Sequence, residues 1–467
     1  MFISFSRESA AVRPLLVRHF GTGDAQQLRV AERKFPARVR ADVQRGLADL
    51  FDGRTPVARF TGVQAMAWHQ KTSLSDLLVS VRRGGVAVAP PEYEDVDVGE
   101  DVPVRCLKVG LWLAERAGRR FALLVAPELN PMGMTALICQ VATGTTDADA
   151  ALADELLRTL ERSVNAAPSY RGKVLSLEGG ETYTGQSTGI RVHRLGGVAR
   201  EQVVLPTKTL ALLDRNVIGF AQRRSALAAA GLATRKGLLF YGPPGTGKSH
   251  TIRYLTAALP GHTTLLITAE QVGLLGEYMT LARLLQPSIV VIEDVDLIAR
   301  DRTQMDGPCQ ESLLNKLLNE MDGLRESADV LFLLTTNRPE ALEMALASRP
   351  GRVDQAIEFP LPDEAGRRKL VQLYAGQLAL DDSLVSAVVA RTERVSAAFI
   401  KELMRRAAQF RLERDGSGPL LVDDVDAALD EMLFSGGRLN LALLGGVGIA
   451  PVGPESVTVA VASVAGS

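Results

Sequence analysis

At 467 residues the chain is too long for one small module, and at roughly 150 residues per domain it has room for about three structural units. A composition of 46% hydrophobic and 23% charged residues excludes a largely disordered protein. Lys and Arg number 53 against 54 Asp and Glu, so the net charge of -1 supplies no global field for holding nucleic acid or an anionic membrane. The three cysteines, Cys106, Cys139 and Cys309, are far apart and form no C-x-x-C pair, which argues against a disulfide framework or a zinc site. They read as small core residues in a reducing compartment. Residues Met1 to Ala10 lack the apolar stretch of a signal sequence, and no run of about 18 apolar residues occurs. The expectation is a cytoplasmic protein with no integral membrane segment.

In chain order, the first part, to about Leu195, mixes α and β signals. Gly110–Glu115 and Arg120–Val125 flank Ala117-Gly118 and predict a hairpin; Met134–Thr143 predicts a further strand. Asp147–Val164 carries Leu152, Leu156, Leu157 and Leu160 at helical spacing, with Asp147 or Asp149 as N-cap. Trp68 and Trp112 read as packing residues of this α+β domain, and the Gly-rich stretch 179–189 as its exit loop.

From about Leu205 helical stretches alternate with short apolar runs at Gly237–Tyr241, Thr264–Thr268, Ser288–Ile292, Val330–Thr335 and Gln355–Phe359. Continuous apolar strands of this length, separated by helices, predict a parallel sheet buried on both faces. After Pro360-Leu361-Pro362 the periodicity is helical, through Leu370, Leu373 and Tyr374, then Phe399, Leu403 and Ala407, then Val425, Ala428, Leu429 and Leu433. The resulting division is 1–195 α+β, 196–360 α/β, 361–434 helical and 435–467 a Gly- and Pro-broken flexible tail. No internal repeat is evident.

Two motifs carry chemistry. Gly242-Pro243-Pro244-Gly245-Thr246-Gly247-Lys248-Ser249 follows one apolar strand and opens a helix with Ile252, Leu255 and Leu259, the context that G-x-x-x-x-G-K-[ST] requires. Glycines there let backbone N–H groups turn inward around phosphate oxygens, and the helix directs its positive end at the same anion. Lys248 suits the β and γ phosphates, the Ser249 hydroxyl suits Mg²⁺, and His250 comes next on the same helix. Ser288-Ile289-Val290-Val291-Ile292 then ends in Glu293, Asp294 and Asp296, an apolar strand delivering carboxylates where parallel strands present ligand-binding groups. The scattered histidines and the Arg-Arg pairs read as solvated surface.

With these motifs the sequence resembles the AAA-type ATPases. Gly231-Leu232-Ala233-Thr234-Arg235-Lys236-Gly237-Leu238-Leu239 is similar to that family's approach to the phosphate loop, and Glu320-Met321-Asp322-Gly323-Leu324 to its E-M-D-G-L helix end. Thr335-Thr336-Asn337-Arg338-Pro339 resembles its sensor 1, and Arg349-Pro350-Gly351-Arg352-Val353-Asp354 its second region of homology. The resemblance covers about half the chain and omits the N-terminal part. It implies a P-loop AAA core with a five-stranded parallel sheet and a C-terminal helical lid. It further implies ATP and Mg²⁺ as cofactors, Asn337 as the sensor orienting water, and Arg349 and Arg352 as arginine fingers reaching the neighbouring subunit of a homohexamer.

The acid order Glu293-Asp294 reverses the family's usual D-E and is similar to that of the mitochondrial AAA translocase handling the Rieske iron-sulfur protein. By position, Glu293 takes the Mg²⁺ role and Asp294 polarises water. In the substrate-gripping loop, Leu274-Leu275-Gly276 lacks the family's aromatic, which Tyr278 replaces only if the loop is repositioned. Ser396-Ala397-Ala398 stands where the family has S-G-A at the lid, with Ala398 matching near ribose and adenine. The implied work is remodelling, unfolding or translocation of a protein client, selected by the N-terminal domain. A nucleic-acid-directed AAA+ factor and a nucleotide-gated scaffold with little hydrolysis are the alternatives, and the neutral charge balance disfavours the former.

Overall fold

The computed structural model describes residues 11–53, 55–64, 72–79, 86–130, 133–178, 189–300, 317, 319–321, 323, 328–340, 353–416 and 418–435. The chain divides into two compact units, Met1–Arg194 and Leu195–Ser467.

The first unit is built on an antiparallel sheet in the order β1 (Arg29–Pro36), β7 (Gly133–Thr143), β6 (Arg119–Asn130), β5 (Val104–Arg116), β2 (Val57–Val63) and β3 (Val88–Ala89), with β4 (Glu92–Val96) also paired to β5. The expected hairpin is the β5–β6 pair, in register from Gly110↔Val125 to Arg116↔Arg119. Its two turn residues, Ala117 at φ 51° and Gly118 at φ 73°, both adopt the left-handed backbone that matches the twist of the flanking strands. Alternation along β5 puts Leu111 and Leu113 in a core with Val12, Leu16, Leu74 and Leu77, from the helices Val12–Phe20 and Leu74–Val79. Trp112, on the opposite face, stacks on Phe51 at 5.1 Å and packs against Phe60 at 4.7 Å. Trp68 lies outside the described residues.

The helix Asp147–Ala166 buries Leu152, Leu156, Leu157 and Leu160 as its spacing predicts. Its cap differs from expectation: Thr146, not Asp147 or Asp149, is the N-cap. The Thr146 hydroxyl accepts from the Asp149 N–H, and Asp149 accepts in return from the Thr146 N–H. This reciprocal box satisfies two helix-end donors at once, which a lone Asp cap does not. A short hairpin of β8 (Val174–Leu177) and β9 (Ile190–His193) completes the unit.

The second unit contains β10 (Lys236–Tyr241), β11 (Thr263–Ile267), β12 (Ser288–Ile292), β13 (Val330–Thr336) and β14 (Gln355–Glu358), all joined in parallel. Their order is β14-β10-β13-β12-β11, so the strand feeding the phosphate loop lies inside the sheet, flanked by β14 and β13. Every residue of β12 and β13 is buried, the reason those segments read as unbroken apolar runs. Leu238, Phe240, Ile252, Leu255, Ile289, Val291, Leu333 and Phe359 form the core beneath the loop.

Beyond Pro362 come the helices Glu364–Tyr374, Asp382–Arg391, Ala397–Asp415 and Val422–Asp430. Asp363, Asp381 and Ser396 cap the first three, accepting from the N–H of Gly366, Leu384 and Phe399. Leu370, Val385, Phe399, Leu403, Val425 and Leu429 close a separate core. Residues 436–467 lie outside the described residues. Among the described residues no helix is long and apolar enough to cross a membrane.

Candidate nucleotide site

The loop between β10 and the helix Lys248–Ala258 depends on three glycines at positive φ: Gly242 at 148°, Gly245 at 76° and Gly247 at 96°. Each has a different neighbour. A Cβ at Gly242 would lie 2.2 Å from the Phe359 carbonyl oxygen, and one at Gly245 would lie 2.8 Å from Ser396 Oγ and 2.9 Å from Ala398 Cβ. Around Gly247 nothing comes within 4 Å of that position. The loop is thus pressed against protein at two points and open at the third, beside the helix N-terminus, as an anion cradle requires. Thr246 Oγ1 donates to the Pro243 carbonyl at 2.9 Å and braces the turn. Pro244 and Ser249 are exposed.

Lys248 is nearly buried at 7% exposure. Its Nζ donates to the carbonyls of Gly242 (2.7 Å) and Pro243 (3.0 Å) and to Asn337 Oδ1 (2.8 Å). Burial pushes its pKa down to about 8, opposed by the negative charges of Asp294 and Asp296. Asn337, at the exit of β13, donates through Nδ2 to Asp294 Oδ1 at 3.0 Å. A single amide therefore joins the phosphate-loop lysine to the carboxylate after β12. A lysine can only donate and a carboxylate accepts, so the two partners fix which end of the amide faces which.

Asp294 adopts a left-handed backbone at φ 50°, and its N–H donates to Thr335 Oγ1 at 3.0 Å. Burial first, then the neighbouring charges of Asp296 and Glu293, push its carboxyl above the ordinary range, against the pull of Lys248 and the Asn337 bond. A raised carboxyl pKa brings a group closer to the value suited to proton acceptance near neutral pH. Glu293 is half-buried, its N–H bonded to the Ile267 carbonyl at 3.1 Å.

Residues 238–361 match the family model described as "ATPase family associated with various cellular activities (AAA)". Residues 238–361 are therefore a domain of the AAA family. It is 33% identical over 233 residues to an ATP-dependent zinc metalloprotease FtsH 2 of Symbiobacterium thermophilum, a match covering 47% of this chain and 39% of that protein. It is 35% identical over 194 residues to a 26S proteasome regulatory subunit 6B homolog of Encephalitozoon cuniculi, covering 38% and 49%. With a proteasome-activating nucleotidase of Methanothermobacter thermautotrophicus it shares 30% identity over 253 residues, covering 51% and 61%. The chain thus spans about half the length of the curated relatives it matches. None of these three relatives bears on the likeness in acid order to the Rieske-protein translocase.

The helix Ala397–Asp415 reaches the phosphate loop: the Ala398 N–H donates to the Gly245 carbonyl at 3.1 Å, with Ala398 itself exposed. His250 Nε2 lies 3.2 Å from the Gln202 carbonyl, which can only accept, so that nitrogen carries the proton and the ring anchors the preceding segment. Burial lowers the His250 pKa, in keeping with a neutral ring. Tyr278 does not substitute for the missing loop aromatic. It is fully buried in the helix Leu275–Leu284 with its hydroxyl donating to Gln271 at 3.0 Å, and Leu275 is buried beside it. Leu274 and Gly276 are half-buried.

Arg349 and Arg352 lie outside the described residues. The end of their motif is described: the Asp354 carboxylate accepts from the Gly237 N–H at 2.7 Å, and its own N–H donates to the Gly237 carbonyl at 2.8 Å, tying the segment to the start of β10. The sequence counts Asp296 only among the carboxylates after an apolar strand and gives Thr335, Ser396 and Gln202 no role of their own. The signal for Asp296 is its place two residues after Asp294; that for Ser396 is the S-A-A motif, in which the serine proves to be the helix cap.

Proposed function

We propose that this chain binds ATP with Mg²⁺ and hydrolyses it, and that the turnover drives remodelling, unfolding or translocation of a protein client. The observation carrying this reading is the continuous hydrogen-bonded path Lys248–Asn337–Asp294, which links phosphate loop, sensor and acidic strand end in one small volume. The donor set fits the group: the open cradle at Gly242–Gly247 with Thr246 and Lys248 suits phosphates, the exposed Ser249 hydroxyl with the Glu293 carboxylate suits a hard cation, and Ala398 flanks the cradle from the lid. Bound Mg²⁺ supplies charge neutralisation for the phosphates. Lys248 holds them, Asn337 orients water, and Asp294 draws a proton from it.

The ring is part of the proposal. Arg349 and Arg352 act on the neighbouring subunit's nucleotide in a homohexamer, where such fingers contribute roughly 10³ to 10⁵ in rate. Residues 1–195 select the client, 196–360 form the motor core, and 361–434 move as its lid. A protein client is supported by the likeness to chains named as a 26S proteasome regulatory subunit homolog and a proteasome-activating nucleotidase, and by the neutral charge balance.

Steady-state phosphate release from wild type, Lys248→Ala and Asp294→Asn tests the reading. Turnover in wild type alone is the expected result. Wild-type turnover no higher than the Lys248→Ala background favours a nucleotide-gated scaffold. Steep stimulation by DNA or RNA at low salt, without stimulation by protein, favours a nucleic-acid-directed factor. Failure of Asp294→Asn to form rings in ATP counts against fingers acting in trans.

A further inference from the structure

Asp296 stands in the first turn of the helix Val295–Arg300 and is 3% exposed. A carboxylate so deeply withdrawn from water persists only where donors meet it. Its Oδ1 accepts from the Thr336 hydroxyl at 2.9 Å and from the Asn337 N–H at 3.3 Å, both at the exit of β13. Thr336 is fully buried, and its Oγ1 in turn accepts from the Arg338 N–H at 2.9 Å, so the turn around Asn337 is gripped on both sides by one carboxylate–hydroxyl pair. One strand position earlier, Thr335 Oγ1 receives the Asp294 N–H. The two ends, of β12 and of β13, are therefore laced together twice, and the reacting side chains hang from that lacing.

We propose that Asp296 is a positioning residue for the ATPase site: it fixes the Asn337 backbone so that the side-chain amide stays spanned between Lys248 and Asp294. The inference rests on the ATPase reading above. Asn337 has one rotatable amide serving two partners at 2.8 and 3.0 Å, and a side chain so short transmits any backbone shift directly to both contacts. Without Asp296 the Thr336 hydroxyl and the Asn337 N–H lose their acceptor in a buried place, and the turn moves to find another. Nucleotide affinity, which comes mainly from the phosphate loop, is left in place. The water-orienting geometry is lost.

The test is a double-mutant cycle on the full chain: wild type, Asp296→Ala, Asn337→Ala and the pair, each measured for kcat and KM by phosphate release and for ATP affinity by fluorescent-nucleotide titration. Outer partners that orient reacting groups typically contribute about 10- to 100-fold, and a kcat loss of that size with unchanged ATP affinity is expected for Asp296→Ala. The double variant should be no slower than Asn337→Ala alone, because one residue acts through the other. Asp296→Asn keeps an acceptor at the same place and should recover most of the rate. If Asp296→Ala does not fold, Thr336→Val removes the hydroxyl donor and closes the same cycle with Asn337→Ala. Multiplying losses in the double variant, or loss of ATP affinity at unchanged kcat, overturns the proposal. A wild-type protein without turnover overturns the ATPase reading and this inference with it. Wild-type turnover matched by Asp296→Ala overturns this inference alone.

Discussion

The three phosphate-loop glycines share a positive φ but not a neighbourhood, and replacing each by alanine separates the two effects. At Gly247 the added methyl meets nothing within 4 Å, so only the left-handed backbone at φ 96° is strained, about 1–2 kcal/mol. At Gly242 the backbone term of about 1–3 kcal/mol is joined by overpacking of about 1–3 kcal/mol, since a Cβ would stand 2.2 Å from the Phe359 carbonyl oxygen. That oxygen belongs to main chain that cannot swing aside. Phe359 is fully buried, its ring is 5.1 Å from that of Phe240, and its N–H donates to the Tyr241 carbonyl at 2.8 Å, a bond contributing about 1 kcal/mol net. Gly242→Ala should therefore cost about 3–7 kcal/mol, a large part of the roughly 5–15 kcal/mol that holds a domain together. Gly245→Ala falls between, at about 2–5 kcal/mol, because its clash is with side-chain atoms, Ser396 Oγ and Ala398 Cβ, rather than with main chain.

Urea titration of the nucleotide-free full chain, followed by far-UV circular dichroism, reads these differences. Both tryptophans, Trp68 and Trp112, precede Arg194, so fluorescence follows the first unit and serves as an internal reference. With a slope of about 1–3 kcal/mol per molar urea, Gly242→Ala should lower the midpoint of the second unit by more than about 1 M while the fluorescence transition stays put. Equal midpoints for Gly242→Ala and Gly247→Ala would refute the reasoning, since the Phe359 contact is the main difference between them.

Thr146→Ala should destabilise the first unit by about 1 kcal/mol, read as a lower fluorescence midpoint, while Asp147→Ala leaves it nearly unchanged. Tyr278→Ala should cost about 3–5 kcal/mol as a buried aromatic, and Tyr278→Phe only about 1 kcal/mol for its hydroxyl bond; client-stimulated ATP turnover preserved in Tyr278→Phe and lost only with folding in Tyr278→Ala would match a core role, and selective loss of client stimulation in folded Tyr278→Phe would contradict it. Glu402, bonded to Arg405 and Arg406, has its carboxyl lowered from an ordinary 4.5 to about 2. Its contribution is present above pH 4.5 and is lost as the pH falls towards 2, so Glu402→Gln should flatten the acid limb of stability of the C-terminal helices in that window; an unchanged limb would contradict the assignment.

Much of the second unit is legible in the sequence because its strands are buried on both faces. Ser288–Ile292 and Val330–Thr336 announce themselves as apolar runs, and the helices at Leu152–Leu160 and Phe399–Ala407 announce themselves by spacing. The phosphate loop is equally plain, since its glycines are required by local backbone geometry that no other residue supplies cheaply. The cap falls on Thr146 rather than on Asp147 or Asp149 because all three have capping chemistry, and only the reciprocal bonding decides among them.

By itself the sequence determined the ordered motifs, the parallel alternation and the candidate residues Lys248, Glu293 and Asp294, because each follows from periodicity or from chemistry within a short stretch of chain, while Asn337 came from the family resemblance alone. Only the tertiary structure decided which of them meet. Asn337 is 43 residues from Asp294 and 89 from Lys248, yet it bonds both. The strand order β10-β13-β12 brings their three strand ends together, and strand order is a property of pairing that no local pattern encodes. The same holds for Asp296, in the sequence one of three carboxylates after an apolar strand and in the fold the acceptor for the Thr336 hydroxyl and the Asn337 N–H, and for Tyr278, which folding consigned to the core.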